Sequence, residues 1–192
     1  MTQPMASASA ITLADGRVLV LGIHVTESGP DQPRTQLFDP ATARWTRLVP
    51  VSGRAVALPD GGALVVRDSR PALRLDPDTL KWTATRPMSV PRSGAIAVTL
   101  ADGRVLVAGG SISPGLPTPA DMSRIAELYD PWSGRWSTTA SLPEARSGGA
   151  AILLADGSAL LIGGSAGTEQ PNVAPSCPDA LDTADRYMAG SH

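Results

Sequence analysis

The stretch LADGRVLVAGG, Leu100–Gly110, decides the fold of this 192-residue chain, because the chain writes it more than once. LADGRVLVLG occupies Leu13–Gly22, LADGSALLIGG occupies Leu154–Gly164, and a blurred LPDGGALVV occupies Leu58–Val66. The Asp-Gly pairs fall at Asp15, Asp60, Asp102 and Asp156, at spacings of 45, 42 and 54. A second landmark follows each of the first three, at Asp39-Pro40, Asp76-Pro77 and Asp130-Pro131. In every case a Trp stands six residues after the Asp, at Trp45, Trp82 and Trp136. Two landmarks recurring in one order at this period mark a repeat architecture.

Each unit reads as four short strands. In the third, SGAIAVTL is apolar and β-prone, Asp102-Gly103 is a hairpin turn signal, and RVLVAGG is the return strand. IAELYD forms a third strand, PWSGR turns the chain, and WSTTASL forms the fourth. The Asp-Gly pair is expected to supply the positive φ angles of a type I′ turn. The Trp opening the outer strand is expected to fill the gap against the neighbouring sheet. No segment sustains a 3.6-residue apolar period, so helix should be scarce. The expected fold is all-β, a set of four-stranded antiparallel blades in one region spanning residues 1–192. Repeats are drawn at about 5–50, 51–91, 92–145 and 146–188.

These units resemble kelch repeats. The resemblance rests on Gly109-Gly110 and Gly163-Gly164, on Tyr129-Asp130-Pro131 with Trp136, and on PRSGA at Pro91–Ala95. Repeat 1 is looser, with Ile23 for the second glycine and Phe38 for the Tyr; repeat 2 shows Val66-Arg67 instead of Gly-Gly. Repeat 4 reaches TADRYM and then AGSH, without Asp-Pro, Trp or outer strand, so residues 189–192 read as a vector-derived or truncated end. The resemblance implies a kelch-type β-propeller or partial propeller. Kelch propellers usually carry six or seven blades, which leaves three options: a piece of a longer protein, a ring completed by other copies, or a compact four-bladed closure.

Composition narrows the function classes. With 42% hydrophobic residues and a net charge of −2, the chain has no electrostatic character that calls for nucleic acid or an anionic membrane. An Asp-Gly pair interrupts each apolar run short of transmembrane length. MTQPMASASA has neither the basic nor the apolar region of a leader, so the default expectation is cytoplasmic. Cys177 is the single cysteine, which excludes an internal disulfide. One His away from the terminus, His24, makes no metal site. Asp179, Asp182 and Asp185 lack a calcium-loop pattern and read as a solvated loop, so no cofactor is expected. Copper chemistry of the galactose oxidase kind needs His and Tyr ligands, and only Tyr129 and Tyr187 are present.

Kelch propellers bind at the channel mouth, near the segments that lead into each first strand. Here those segments carry Arg92-Ser93, Arg146-Ser147 and the shifted Arg54, with Met5 in repeat 1. Guanidinium groups so placed suit a carboxylate or an acidic peptide. The competing structural reading has the same arginines bonding backbone carbonyls and tying the blades together. The long segments Ile23–Pro33, Ser111–Arg124 and Ser165–Asp182 are the other binding candidates. The expected function is a binding or scaffold module for a protein, peptide or carbohydrate. One alternative is a sugar epimerase or lyase built from Arg54, Arg92, Arg146 and Asp68; another is a subunit that completes a propeller as a homo-oligomer.

Overall fold

The computed structural model describes residues 5–25, 32–68, 70–112, 122–166 and 180–188, with Ala6 and Ser7 described through their backbone alone. The described residues hold fifteen strands and no helix. They form four antiparallel sheets, each a simple meander in chain order. The first sheet takes β1 (Ala6–Thr12), β2 (Val18–His24), β3 (Gln32–Asp39) and β4 (Arg44–Arg47). The second takes β5 (Arg54–Ala57), β6 (Ala63–Val66), β7 (Leu73–Leu75) and β8 (Trp82–Ala84). The third takes β9 (Ile96–Thr99), β10 (Val105–Ala108), β11 (Ala126–Asp130) and β12 (Arg135–Thr138). Among the described residues the fourth holds β13 (Ala150–Leu153), β14 (Ala159–Ile162) and β15 (Ala184–Tyr187). Up-and-down meanders of this size are the building plan of propeller blades.

The sheets fall into two compact units. One comprises Met1–Arg67 with Ala72–Thr85, and the other Asp68–Pro71 with Arg86–His192. The first unit is built on Leu13, Leu19, Leu21 and Leu37 packed with Ala63, Val65 and Leu75. The second is built on Ile96, Val98, Leu106 and Leu128 packed with Ala159, Leu161 and Tyr187. Both cores are sheet-on-sheet contacts made by alternating residues, because strand side chains point to opposite faces.

The Asp-Gly turns differ from the type I′ expectation. Gly16, Gly61, Gly103 and Gly157 have φ of 85, 87, 82 and 81°, but the preceding Asp residues are not among the positive-φ positions. In the first turn Gly16 N donates to Leu13 O at 2.9 Å and Leu13 N donates to Arg17 O at 2.8 Å. The same pair of bonds recurs from Leu58, Leu100 and Leu154. This is a three-residue loop, a type I turn followed by a left-handed glycine, which needs one positive φ instead of two. The Asp has another task. Its Oδ1 accepts the backbone N–H two residues on, from Arg17, Gly62, Arg104 and Ser158 at 2.9–3.0 Å.

Each turn carboxylate also receives an arginine, by one of two routes. In the Asp-Gly-Arg turns the partner is two residues away, Arg17 on Asp15 and Arg104 on Asp102. Where that position is Gly62 or Ser158, the partner comes from the third strand instead, Arg74 on Asp60 and Arg186 on Asp156. Two of the outer tryptophans depart from expectation, while Trp82 packs against the core shared by the first and second sheets. Trp45 and Trp136 stack within their own sheets on Phe38 and Tyr129, at centroid distances of 4.9 and 5.0 Å. Trp82 uses its indole N–H to hold Val49 O at 3.1 Å.

Candidate functional site

The lead-in arginines of the second unit are interior groups. Arg92, just ahead of β9, has a side chain with 0% exposure. Its Nη1 donates to Ile125 O at 2.6 Å and Gly109 O at 3.4 Å, and its Nε donates to Val90 O at 3.3 Å. Its Nη2 pairs with Glu127 Oε2, while Glu127 Oε1 accepts the Ser89 N–H at 2.8 Å. Burial lowers the Arg92 pKa below the ordinary arginine value, and the Glu127 carboxylate opposes that shift. Arg146 repeats the arrangement in the fourth sheet, also at 0% side-chain exposure. Its Nη1 donates to Gly163 O at 2.8 Å, and its Nη2 reaches Asp185 Oδ2 at 2.8 Å and Thr183 Oγ1 at 3.2 Å.

These are the carbonyl-bonding contacts of the structural reading. With no exposed surface, neither guanidinium offers a donor to a ligand in this structure. Arg54 does not occupy the same place: it begins β5, half-buried, opposite Val66. The suspect Asp68 accepts the Gly94 N–H at 3.1 Å. Asp185 serves Arg146, while Cys177 and Asp179 lie outside the described residues. Among the described residues no group of three His, Cys, Asp or Glu side chains is placed to hold a metal ion.

Ser93 and Ser147 act through their backbones. Ser93 and Ser111 exchange two N–H to O bonds of 2.8 Å, and Ser111 bridges in turn to Met122. Ser147 and Ser165 exchange bonds of 2.9 and 2.8 Å, and Ser165 bridges to Ala180. Three backbone segments therefore meet at one end of the third sheet and of the fourth: the lead-in to the first strand and both ends of the segment joining the second strand to the third. The glycine pairs make this closeness possible. Gly109 and Gly110 have φ of 68 and 95°, and a Cβ on Gly110 would stand 2.8 Å from Ser93 O. The candidate segments between residues 113–121 and 167–179 lie outside the described residues, but their anchor points do not.

The first unit fills the arginine position differently. Val51 and Leu73 stand where the fourth sheet has Arg146 and Asp185, and both belong to the apolar core. Met5 and Gln36 stand where the third sheet has Arg92 and Glu127. A cavity of about 100 Å³ lined by Ser9, Leu21, Gly22, Ile23, Val51, Ser52 and Gly53 occupies this end of the unit. In the second unit the stem of Arg146 lies beside Gly109 at the corresponding spot, its Cγ 3.4 Å from where a Cβ would be. A valine leaves that space open.

The arrangement defines a class: an all-β repeat protein of blade-like sheets with buried guanidinium staples in two of its four copies. No family model matches the chain. An 88-residue stretch is 33% identical to the spermatocyte protein spe-26 of Caenorhabditis elegans, covering 45% of this chain and 15% of that protein.

Proposed function

We propose that the chain forms blades of a kelch-type propeller and serves as a binding or scaffold module for a protein, peptide or carbohydrate partner. The observation that carries this reading is the pair of backbone triads Ser93–Ser111–Met122 and Ser147–Ser165–Ala180. Each clamps both ends of a long connecting segment onto a rigid sheet end, the arrangement by which a stable scaffold presents recognition loops. The left-handed Gly109-Gly110 and Gly163-Gly164 and the stacked Tyr129–Trp136 pair support the kelch reading, since they give the motif residues backbone and packing roles. Recognition falls to the clamped segments and to the exposed faces of the lead-ins. The buried Arg92 and Arg146 set the platform beneath them.

The test replaces residues 113–121 and 167–179 with short Gly-Ser connections and probes both proteins on arrays of acidic peptides and glycans. The intact protein should capture a defined subset, and the shortened protein should lose that capture while keeping its melting temperature. Capture of nothing by the intact protein, or equal capture by both, overturns the reading.

A further inference from the structure

The lead-in to the second sheet is the shortest of the three that join one sheet to the next. Six residues separate β4 from β5, against eleven between β8 and β9 and eleven between β12 and β13. The longer lead-ins carry Arg92 and Arg146, whose guanidinium groups bond the carbonyls at their sheet ends. The short one brings Val51, Ser52 and Gly53 to the end of the first unit instead, and the cavity of about 100 Å³ lies beside them.

That cavity is built from rigid parts. Ser9 is the register partner of Leu21, and Ile23 follows Leu21 on the same strand face, so these three side chains look from the first sheet toward the second. Leu21 and Val51 are buried and form the floor, while Ser9 and Ser52 are exposed at the rim. The Thr35 hydroxyl accepts the Val51 N–H at 3.0 Å and donates to Val51 O at 3.4 Å, so the valine backbone turns no unmet polar group to the cavity. Gly53 has φ of 142°, and a Cβ on it would stand 2.3 Å from Val66 O. No side chain can therefore grow from the lead-in at that point.

We propose that this cavity receives one aliphatic side chain, of valine, leucine or isoleucine size, from a peptide partner. Volume sets the scale: 100 Å³ is well below the roughly 300 Å³ at which pockets for whole small ligands begin, and somewhat below the about 150 Å³ that holds benzene. Part of a larger molecule enters, and the rest stays outside. No charged residue lines the cavity, so a carboxylate or guanidinium would lose its water without gaining a partner. The hydroxyls of a sugar ring would do the same against Leu21, Ile23 and Val51. At the rim the Ser9 and Ser52 hydroxyls can each donate and accept, which suits the N–H and C=O groups of an extended backbone. The second unit carries an occupant of this kind covalently, since the aliphatic stem of Arg146 lies beside Gly109, the counterpart of Gly22. That the larger molecule is a peptide rests on the binding-module reading above; the preference for an aliphatic group rests on the cavity alone.

Methyl-labelled protein titrated with the N-acetyl amides of leucine, arginine and aspartate, and with glucose, tests the proposal by NMR. The leucine amide should move the methyl resonances of Leu21, Ile23 and Val51 in a saturable way at millimolar concentration, and the other three probes should leave them in place. Ser52→Phe, which sets a ring at the rim, should weaken the leucine response several-fold while the melting temperature holds; Ser9→Phe replaces it if it does not fold. No saturable shift from the leucine amide overturns the proposal, as does a stronger response to any other probe or an unchanged response in a folded rim variant. Peptides captured on the arrays should lose affinity several-fold when their aliphatic residue becomes alanine, and a loss no larger than at other positions overturns the peptide assignment. The protein shortened at residues 113–121 and 167–179 keeps the cavity and should answer the leucine amide as the intact protein does. Absent array capture with the leucine response intact overturns the binding-module reading and leaves the aliphatic pocket supported.

Discussion

The two units join their sheets through the same register plan but fill one position in opposite chemical ways. Beneath the lead-ins of the second unit lie Arg92 with Glu127 and Arg146 with Asp185. In the first unit the same places hold Met5 with Gln36 and Val51 with Leu73. Both members change together: ionic with ionic, neutral with neutral, apolar with apolar. A buried charge is tolerated when its partner is present and becomes a liability when it is not, so a pair can be exchanged whole but not by halves. The difference teaches that the arginines belong to the scaffold and that their partners are encoded some 35 to 39 residues away.

Removing one half should have the largest effect. Arg92→Ala leaves the Glu127 carboxylate buried and unpaired and should cost about 3–5 kcal/mol. Amide exchange should then quicken in β9–β12 and stay slow in β2 and β6. Converting both members to the first-sheet pair, Arg92→Met with Glu127→Gln, should recover most of that loss in a urea melt. A double variant as unstable as the single one would break the comparison.

The glycines give the next contrast. Gly109→Ala puts a Cβ against Arg146 O at a left-handed backbone and should cost more than about 2 kcal/mol. Gly22→Ala, its counterpart in the first sheet, meets only side chains at 3.1–3.2 Å, led by the flexible Met5, and should cost less than half as much. Thermal melts of the two variants side by side measure the ratio.

Acid should weaken both units alike. The Asp39 carboxyl is held below its ordinary pKa by the Thr42 hydroxyl, Asp76 by the Thr79 N–H and hydroxyl, and Asp130 by the Ser133 hydroxyl. The Ser158 hydroxyl does the same for Asp156. Groups lowered on folding contribute stability that is fully present above the unfolded value of about 3.9 and is lost as pH falls through the folded values. The melting temperature should therefore hold down to about pH 5 and drop below pH 4. Asp39→Asn with Asp130→Asn should flatten that drop.

The smallest effect concerns the outer hairpins. Gly134 takes φ 65° in the third sheet, while Ala43 and Leu80 are forced to 54 and 56° in the first and second. Ala43→Gly should relieve strain and raise stability by up to about 1 kcal/mol, and Gly134→Ala should lower it by a similar amount. Denaturant midpoints decide the sign.

The architecture was open to reading because repetition is a property of sequence alone. Asp-Gly marks four units, and Asp-Pro with a Trp six residues after its Asp marks the first three of them. The turn type escaped, since a type I turn with one left-handed glycine and a type I′ turn are both written Asp-Gly. Trp82 packs against the core it shares with the neighbouring sheet, but a six-residue offset does not say that Trp136 folds back on Tyr129. The depth of Arg92 and Arg146 was not visible in their own segments either. A signal existed elsewhere, in the acid at Glu127 and Asp185 that becomes Gln36 and Leu73 where the arginine is absent.

The four Asp-Gly turns also bear on how such a protein ages. Asp-Gly is a dipeptide prone to cyclise, when the glycine nitrogen attacks the side-chain carbonyl carbon and the chain rearranges through a succinimide. Here the Gly16 nitrogen is engaged by Leu13 O, and the Asp15 carboxylate is held by Arg17 and its backbone N–H. The same engagement of nitrogen and carboxylate recurs at Asp60, Asp102 and Asp156, whichever strand supplies the arginine. The folded protein thus protects four of its own chemically weakest bonds, and the unfolded chain should accumulate isoaspartate at all of them.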